Sequence, residues 1–222
     1  MENGSQQTDA KSNPTHNLRY AISDRTSFPG DESDRQSALI AQVRRLASQG
    51  VNFVQLREKD LEAGALAALT RELLPVLRSH SPAPKLLINS RADVAVAVGA
   101  DGVHLTSAPG ELTPAQVRQL YAAAGLPEPV VSVSCHTVAQ VACARESAAS
   151  LILFGPVFEK RVAGELVAAG TGLDLLREAC QAAAPTPVLA LGGITAANSA
   201  ACLAAGAAGI AAIRLFQEEP SA

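Results

Sequence analysis

The chain has 222 residues, enough for one domain with a large hydrophobic core. Hydrophobic residues make up 48% of it and charged residues 18%, so small apolar side chains are available to fill that core. The net charge of −3 comes without a basic block, which argues against nucleic-acid binding.

The cysteines and the N-terminal segment favour a cytoplasmic protein. Cys135, Cys143, Cys180 and Cys202 form no CxxC pair and have no histidine at metal-ligand spacing, so neither zinc nor a disulfide framework is expected. Residues 1–17 are polar and lack the apolar core of a signal peptide, and they are predicted to be a disordered tail. No stretch of about 18 apolar residues predicts a membrane span.

Short apolar runs of strand length follow one another at residues 18–22, 52–56, 85–88, 102–105, 130–134, 151–154, 188–191 and 209–213. The segments between them carry apolar residues at helical intervals, as Leu39, Val43 and Leu46 do. Alternating strands and helices predict a parallel sheet, and runs that are apolar at successive positions are typical of strands buried on both faces. We therefore predict an α/β fold, a single (β/α)8 TIM barrel over residues 18–222 behind a disordered N-terminal tail.

An open doubly wound sheet is the alternative fold. That fold usually has a glycine-rich phosphate loop after its first strand, and residues 20–25 contain no glycine. The barrel is therefore preferred.

In such a barrel the C-terminal ends of the strands form the active-site mouth. Gln55, Arg57 and Lys59 alternate after the second run, so they face one side of an extended segment. An amide and two cations on one side suit a phosphate or pyrophosphate. The alternative is a solvated charged turn.

The seventh and eighth runs end in the positions that usually bind phosphate in these barrels. Gly192 and Gly193 precede a helix, where backbone N–H groups can approach an anion closely. Ile213 and Arg214 follow the eighth run. A purely structural turn is the alternative interpretation of the two glycines.

Polar residues also follow the third, fourth and fifth runs. His136 lies after the fifth and is a candidate acid–base residue, with a structural histidine as the alternative; Thr137 is a predicted helix N-cap. His104 lies within the fourth run, which favours a buried structural role. Asn89 is placed to hydrogen-bond a ligand, whereas Asp93 is expected to cap a helix or face solvent.

Five motifs occur in the order QLREKD, LLINSRADVAVAVGADGVHL, VSVSCHT, ILFGPVFEK and PVLALGGIT. In this combination the chain resembles the thiamine phosphate synthase and TenI family from Leu18 to about Phe216. The resemblance implies a TIM barrel of thiamine biosynthesis. For the synthase branch it implies that the pyrimidine pyrophosphate binds to the segment from Gln55 to Lys59, to Asn89 and to Ser134, and that the thiazole phosphate binds to Gly192 and Gly193.

The departures from the synthase pattern concern its metal site. That pattern has two aspartates, after the third and fourth strands, as magnesium ligands; here Ser90 replaces the first and Pro109 stands at the place of the second. Serine and proline do not supply the carboxylates that magnesium prefers. Of the threonine- and lysine-containing loop after the sixth strand only Lys160 is retained, and a serine after the eighth strand is replaced by Arg214, which either strengthens phosphate binding or fills the pocket.

These losses resemble the TenI branch, which isomerises a non-aromatic carboxythiazole phosphate to its aromatic tautomer without a metal. His136 matches the acid–base histidine of that branch, and Arg57 or Lys59 is expected to hold the substrate carboxylate. We therefore hypothesise a thiazole phosphate tautomerase that needs no cofactor.

The alternatives are a synthase that uses magnesium to join hydroxymethylpyrimidine pyrophosphate and thiazole phosphate, and a non-catalytic binder of a thiamine precursor. The expected partner is a small phosphorylated thiazole or pyrimidine, and homo-oligomerisation is left open.

Overall fold

The computed structural model describes residues 17–106, 108–162 and 165–217, with side chains described outside residues 160–168. Its strands are β1 (Leu18–Ile22), β2 (Phe53–Leu56), β3 (Lys85–Asn89), β4 (Gly102–Leu105), β5 (Val130–Cys135), β6 (Leu151–Phe154), β7 (Lys160–Val162), β8 (Glu165–Ala168), β9 (Val188–Leu191) and β10 (Gly209–Ala212). Its helices are α1 (Glu32–Ser48), α2 (Ala63–Arg78), α3 (Ala92–Val98), α4 (Pro114–Ala123), α5 (Val138–Glu146), α6 (Gly172–Ala183), α7 (Ser199–Ala204) and α8 (Arg214–Gln217). A short 3-10 turn spans Arg25–Ser27.

The parallel strands close into a barrel in the order β1-β10-β9-β6-β5-β4-β3-β2. The predicted (β/α)8 barrel is therefore confirmed, with β9 and β10 as its seventh and eighth strands. The antiparallel hairpin β7–β8 was not predicted; it lies in the connection after β6. Predicted and observed barrel strands differ by at most one residue at either end.

Local sequence signals explain where several helices begin. Asp31 and Asp34 form a reciprocal capping box at the start of α1, and Thr113 and Gln116 form another before α4. The predicted N-cap at Thr137 is confirmed, since its side chain accepts a hydrogen bond from the backbone of Gln140. These caps place the helices at fixed points after the strands that precede them.

The core has two parts because successive strand residues face opposite sides. Side chains such as Val54, Val103 and Ile152 point outwards and pack against the helices in the larger cluster. Tyr20, Leu87, Leu153 and Leu189 belong to a smaller cluster inside the barrel. The buried interior also includes the polar side chains of Gln55, His104 and Ser132.

The predicted tail lies outside the described residues apart from Asn17. Within the described ranges, no helix combines the length and hydropathy needed to cross a bilayer.

Candidate functional site

All the barrel strands run in the same direction, so their C-terminal ends meet at one rim. One half of this rim, formed by β2 to β5, carries most of the polar residues that the sequence singled out. The other half, formed by β9 and β10, carries the glycine turn and α8. The predicted residues that the structure places at or just after the strand ends of the two halves are Gln55, Arg57, Lys59, Asn89, Ser134, His136, Gly192, Gly193, Ile213 and Arg214.

Gln55 and Asn89 are brought into direct contact. The Nε2 atom of Gln55 donates to Oδ1 of Asn89 over 2.8 Å, which links the ends of β2 and β3. Gln55 is only 1% exposed, and its buried Oε1 atom has no hydrogen-bond donor among the described residues. Because an unsatisfied buried acceptor is unfavourable, this oxygen is suited to a donor on a ligand or an ordered water.

The segment that follows β2 is held by Arg25, a residue that sequence reasoning missed. Arg25 is 3% exposed, and its guanidinium donates to Glu58 at 3.1 Å, to Asp60 at 2.7 and 2.8 Å and to Glu32 at 2.8 and 3.1 Å. The hydroxyl of Ser23 donates to Glu58 and accepts from the backbone N–H of Arg57. The acidic residues of the QLREKD motif, Glu58 and Asp60, are therefore structural.

The two cations of the QLREKD motif are not paired as its acidic residues are. Arg57 is half-buried and Lys59 is exposed, and the side chain of neither forms a hydrogen bond or ion pair with another described residue. Lys59 also lines a pocket of about 340 Å³ beside the barrel mouth, together with Asn89 and Ser90. Both interpretations of Arg57 and Lys59, the anion-binding segment and the solvated charged turn, are compatible with this geometry.

His104 is buried inside the barrel, as predicted, and belongs to a chain of hydrogen bonds. Its Nδ1 atom lies 2.8 Å from the Oγ of Ser132, which lies 3.0 Å from the hydroxyl of Tyr20. Its Nε2 atom lies 2.9 Å from the Oγ of Ser134, at the rim. Burial, with a smaller contribution from the positive charge of Arg57, lowers the pKa of His104 to about 3. His104 is therefore neutral at physiological pH.

This shift predicts how stability depends on pH. The unfolded chain protonates a histidine below about pH 6.5, whereas native His104 stays neutral down to a pKa of about 3. As the pH is lowered between these values, the free energy of unfolding should decrease by up to about 1.4 kcal/mol per pH unit. Above about pH 6.5 this destabilisation by His104 is absent. Urea unfolding of wild type, His104→Asn and the surface control His80→Asn would measure it. A slope as steep in His104→Asn as in the wild type would contradict the assignment.

His136 follows β5 and is exposed at the rim. Its Nδ1 atom hydrogen-bonds the backbone carbonyl of Gly155, which follows β6, and its backbone N–H donates to Gln140 over 2.7 Å. A carbonyl oxygen only accepts, so in the neutral imidazole Nδ1 carries the proton and Nε2 has the lone pair. The Nε2 atom has no hydrogen-bond partner within the described part of the chain. This arrangement suits a proton acceptor.

The glycine turn after β9 packs closely against the connection that follows β6. Gly192 and Gly193 have φ values of +93° and +65°, and the connection after β6 lies directly against them. A Cβ atom on Gly193 would lie 2.7 Å from Cβ of Phe158 and 2.8 Å from the backbone oxygen of Glu159. No hydrogen bond joins the N–H groups of Gly193 and Ile194 to another described residue. Both interpretations, the structural turn and the anion site, are compatible with this geometry.

Gly193→Ala tests the packing role. We expect it to lower the free energy of unfolding by about 1–3 kcal/mol more than Gly50→Ala, because both positions have positive φ but nothing lies within 4 Å of a Cβ atom on Gly50. Chemical unfolding of the two variants would compare them. Equal losses of unfolding free energy in the two variants would mean that the connection after β6 does not restrict the space at Gly193.

Arg214 begins α8, is exposed, and makes no hydrogen bond or ion pair with other described residues, while Ile213 beside it is half-buried. Arg214 therefore leaves its charge available at the rim. Lys160 begins β7, but its side chain lies outside the described part of the chain, so its predicted role stays a prediction.

Glu111 is the other rim residue that the sequence interpretation missed. Its Oε2 atom accepts from the hydroxyl of Ser90 at 2.9 Å and from the hydroxyl of Thr106 at 3.0 Å. Pro109 was assigned to the position of the second aspartate; the carboxylate that returns to the ends of β3 and β4 instead belongs to Glu111, two residues later. The side chain of Ser90 lies beside it, on a residue with φ +53°.

Magnesium prefers carboxylate oxygens as ligands. The cluster of Ser90, Thr106 and Glu111 supplies one carboxylate, already hydrogen-bonded to two hydroxyls, where the synthase pattern has two aspartates. Elsewhere in residues 17–106, 108–162 and 165–217, no three His, Cys, Asp or Glu side chains group into a metal site. The residues present do not fit the two-aspartate magnesium site.

The chain is similar to known proteins in both sequence and fold. The family model described as thiamine monophosphate synthase matches residues 20–216. A putative thiamine-phosphate synthase of Geobacter sulfurreducens is 40% identical over 204 residues, covering 90% of this chain and 87% of the relative. The thiamine-phosphate synthase of Thermus thermophilus is 33% identical over 183 residues, 82% of this chain and 83% of its own.

A solved structure agrees with these relatives. The thiamine phosphate pyrophosphorylase of Pyrococcus furiosus superposes with a TM-score of 0.74 at 25% identity, covering 93% of this chain and 91% of that one. The barrel, the ordered motifs and these relatives together lead to one conclusion: the chain belongs to the thiamine phosphate synthase and TenI family.

Proposed function

We propose that this member of a thiamine-biosynthesis family is a thiazole phosphate tautomerase. The reaction removes a proton from one carbon of the non-aromatic carboxythiazole phosphate and adds a proton to another, while the double bonds move to make the ring aromatic. Atoms and charge are conserved, so the protein must supply a base, an acid and sites for the two anionic groups. The proposal rests chiefly on His136.

His136 supports the proposal because one of its nitrogens is fixed and the other is available. The Gly155 carbonyl holds the Nδ1 proton, which orients the ring and leaves the lone pair of Nε2 for a substrate proton. After accepting that proton, the imidazolium can return one to the second carbon. A single positioned histidine thus accounts for both proton steps.

The charges at the rim suit the two ends of such a substrate. The N–H groups of Gly193 and Ile194, with the guanidinium of Arg214, suit the phosphate on the β9–β10 half. Arg57 on the β2–β5 half is a cation without a protein partner among the described residues, and it suits the carboxylate. The substrate would then span the mouth beside His136.

The synthase reaction is the second candidate, favoured by Glu111 and by the names of the relatives. Glu111 brings a carboxylate to the ends of β3 and β4, the region of the family's first metal aspartate. Magnesium often uses one protein carboxylate together with substrate phosphates. This candidate predicts magnesium-dependent formation of thiamine phosphate from the two phosphorylated precursors.

The direct test is turnover of the synthetic non-aromatic carboxythiazole phosphate, followed by proton NMR with a chelator present. We expect rapid aromatisation that the chelator does not slow. Isomerisation at the rate of the protein-free control would refute the proposal. Binding of the thiazole without turnover would instead support the non-catalytic alternative.

A further inference from the structure

A continuous chain of hydrogen bonds runs inside the barrel and ends at the rim. It joins Tyr20, Ser132, His104 and Ser134, and each link measures between 2.8 and 3.0 Å. Tyr20 and Ser132 are both 0% exposed, His104 is 3% exposed, and Ser134 is half-buried at the rim. Because each hydroxyl has one proton and a neutral imidazole has one, the protons can be assigned in sequence.

Tyr20 sets the direction. Tyr20 is fully buried in the smaller apolar cluster, and Ser132 is the hydrogen-bond partner of its hydroxyl among the described residues. If Ser132 donated to Tyr20, the phenol proton would be left without an acceptor, which is costly for a buried donor. A phenol is also a stronger donor than an aliphatic alcohol. Tyr20 therefore donates to Ser132.

The remaining protons follow from that first one. Ser132 accepts from Tyr20, so its own proton goes to Nδ1 of His104. Neutral His104 then carries its proton on Nε2 and donates it to the oxygen of Ser134. Ser134 thereby accepts from the interior, and its own proton is left to point into the mouth.

We propose that Tyr20, Ser132 and His104 form a one-way relay of positioning residues, which makes Ser134 a hydrogen-bond donor to an anionic oxygen of the bound substrate. Aligned hydrogen bonds polarise one another in a water-poor interior, so Ser134 binds an anion more tightly than an isolated serine would. The positive charge of Arg57 lies close enough to influence His104. In the proposed tautomerase reaction, on which this part rests, the oxygen bound by Ser134 is that of the carboxylate.

The chain contains two tyrosines, and the second provides a matched control. Tyr121 is also buried, but its hydroxyl donates to the backbone oxygen of Ala100 over 3.1 Å, on the outer side of the sheet. Tyr20→Phe and Tyr121→Phe therefore each remove one buried phenol hydroxyl. Only the first breaks the relay.

Nitrogen-15 NMR of the histidine rings tests the proton assignment without any ligand, with the signal of His104 identified by its loss in His104→Asn. At neutral pH we expect protonated Nε2 and unprotonated Nδ1 in the wild type and in Tyr121→Phe. In Tyr20→Phe the other tautomer should become populated. A wild-type ring protonated on Nδ1, or one that Tyr20→Phe leaves unchanged, would overturn the relay.

Calorimetric binding tests its effect on the substrate. The probes are the aromatic carboxythiazole phosphate and the same compound without its carboxylate. Tyr20→Phe should weaken the first roughly three- to tenfold, the range of one hydrogen bond, and leave the second unchanged; Tyr121→Phe should alter neither. Equal weakening of both probes, or of neither, would overturn the role assigned to Ser134. If the wild type binds neither probe, the tautomerase proposal fails, and the His104 tautomer still decides whether the relay exists.

Discussion

Substitution of His136 by asparagine should lower the kcat for thiazole isomerisation by about 10²- to 10⁴-fold, the usual contribution of a positioned acid–base group. Asparagine can still donate a hydrogen bond to the carbonyl of Gly155, so the loop should keep its place. The KM should change little, because the proposed phosphate and carboxylate contacts lie on other residues. Steady-state kinetics of the purified variant would measure both constants.

The control for this variant is His80→Asn. His80 lies just after α2 and hydrogen-bonds the backbone oxygen of Val76, outside the proposed site. The His80→Asn variant should retain the wild-type kcat. A His136→Asn enzyme that also retains wild-type kcat would exclude His136 as the proton carrier.

Substitution of Arg25 by methionine should lower the free energy of unfolding by about 3–5 kcal/mol, because removal of one partner leaves a buried carboxylate without its counter-charge. That carboxylate is Glu58, which is 5% exposed. The carboxyl of Asp60, whose pKa Arg25 lowers by hydrogen bonding, is exposed and can be solvated instead. Urea unfolding at neutral pH would give the loss.

Arg177→Met is the matched control for Arg25→Met. The Arg177 side chain pairs with Asp174 at 2.7 Å, but the two side chains are 51% and 95% exposed. Exposed pairs contribute about 0–1 kcal/mol, so this variant should be nearly as stable as the wild type. Similar losses in the two variants would show that Arg25 does not hold the segment after β2 through Glu58.

The barrel could be predicted from sequence because each of its units carries a local signal. Apolar runs such as Leu151–Phe154 alternate with helical patterns, and Thr137 and Gly99 mark a helix start and a helix end by their own chemistry. The positions of the rim residues then followed from the rule that parallel strands end at one face.

The parts that were missed depend on contacts between distant residues. Arg25 meets Glu58 from 33 positions away, and nothing in its local sequence indicates that its charge is buried. Glu111 meets Ser90 from 21 positions away, two residues beyond the place where the synthase pattern has its second aspartate, and no local pattern marks this contact.

The most direct measurement is a comparison of the two candidate reactions in a single preparation of the full chain. One portion receives the non-aromatic carboxythiazole phosphate and a chelator, and the other receives hydroxymethylpyrimidine pyrophosphate, thiazole phosphate and magnesium. We predict rapid aromatisation in the first portion and no thiamine phosphate in the second. Thiamine phosphate in the second portion, with no aromatisation above background in the first, would contradict the tautomerase assignment and identify the chain as a synthase.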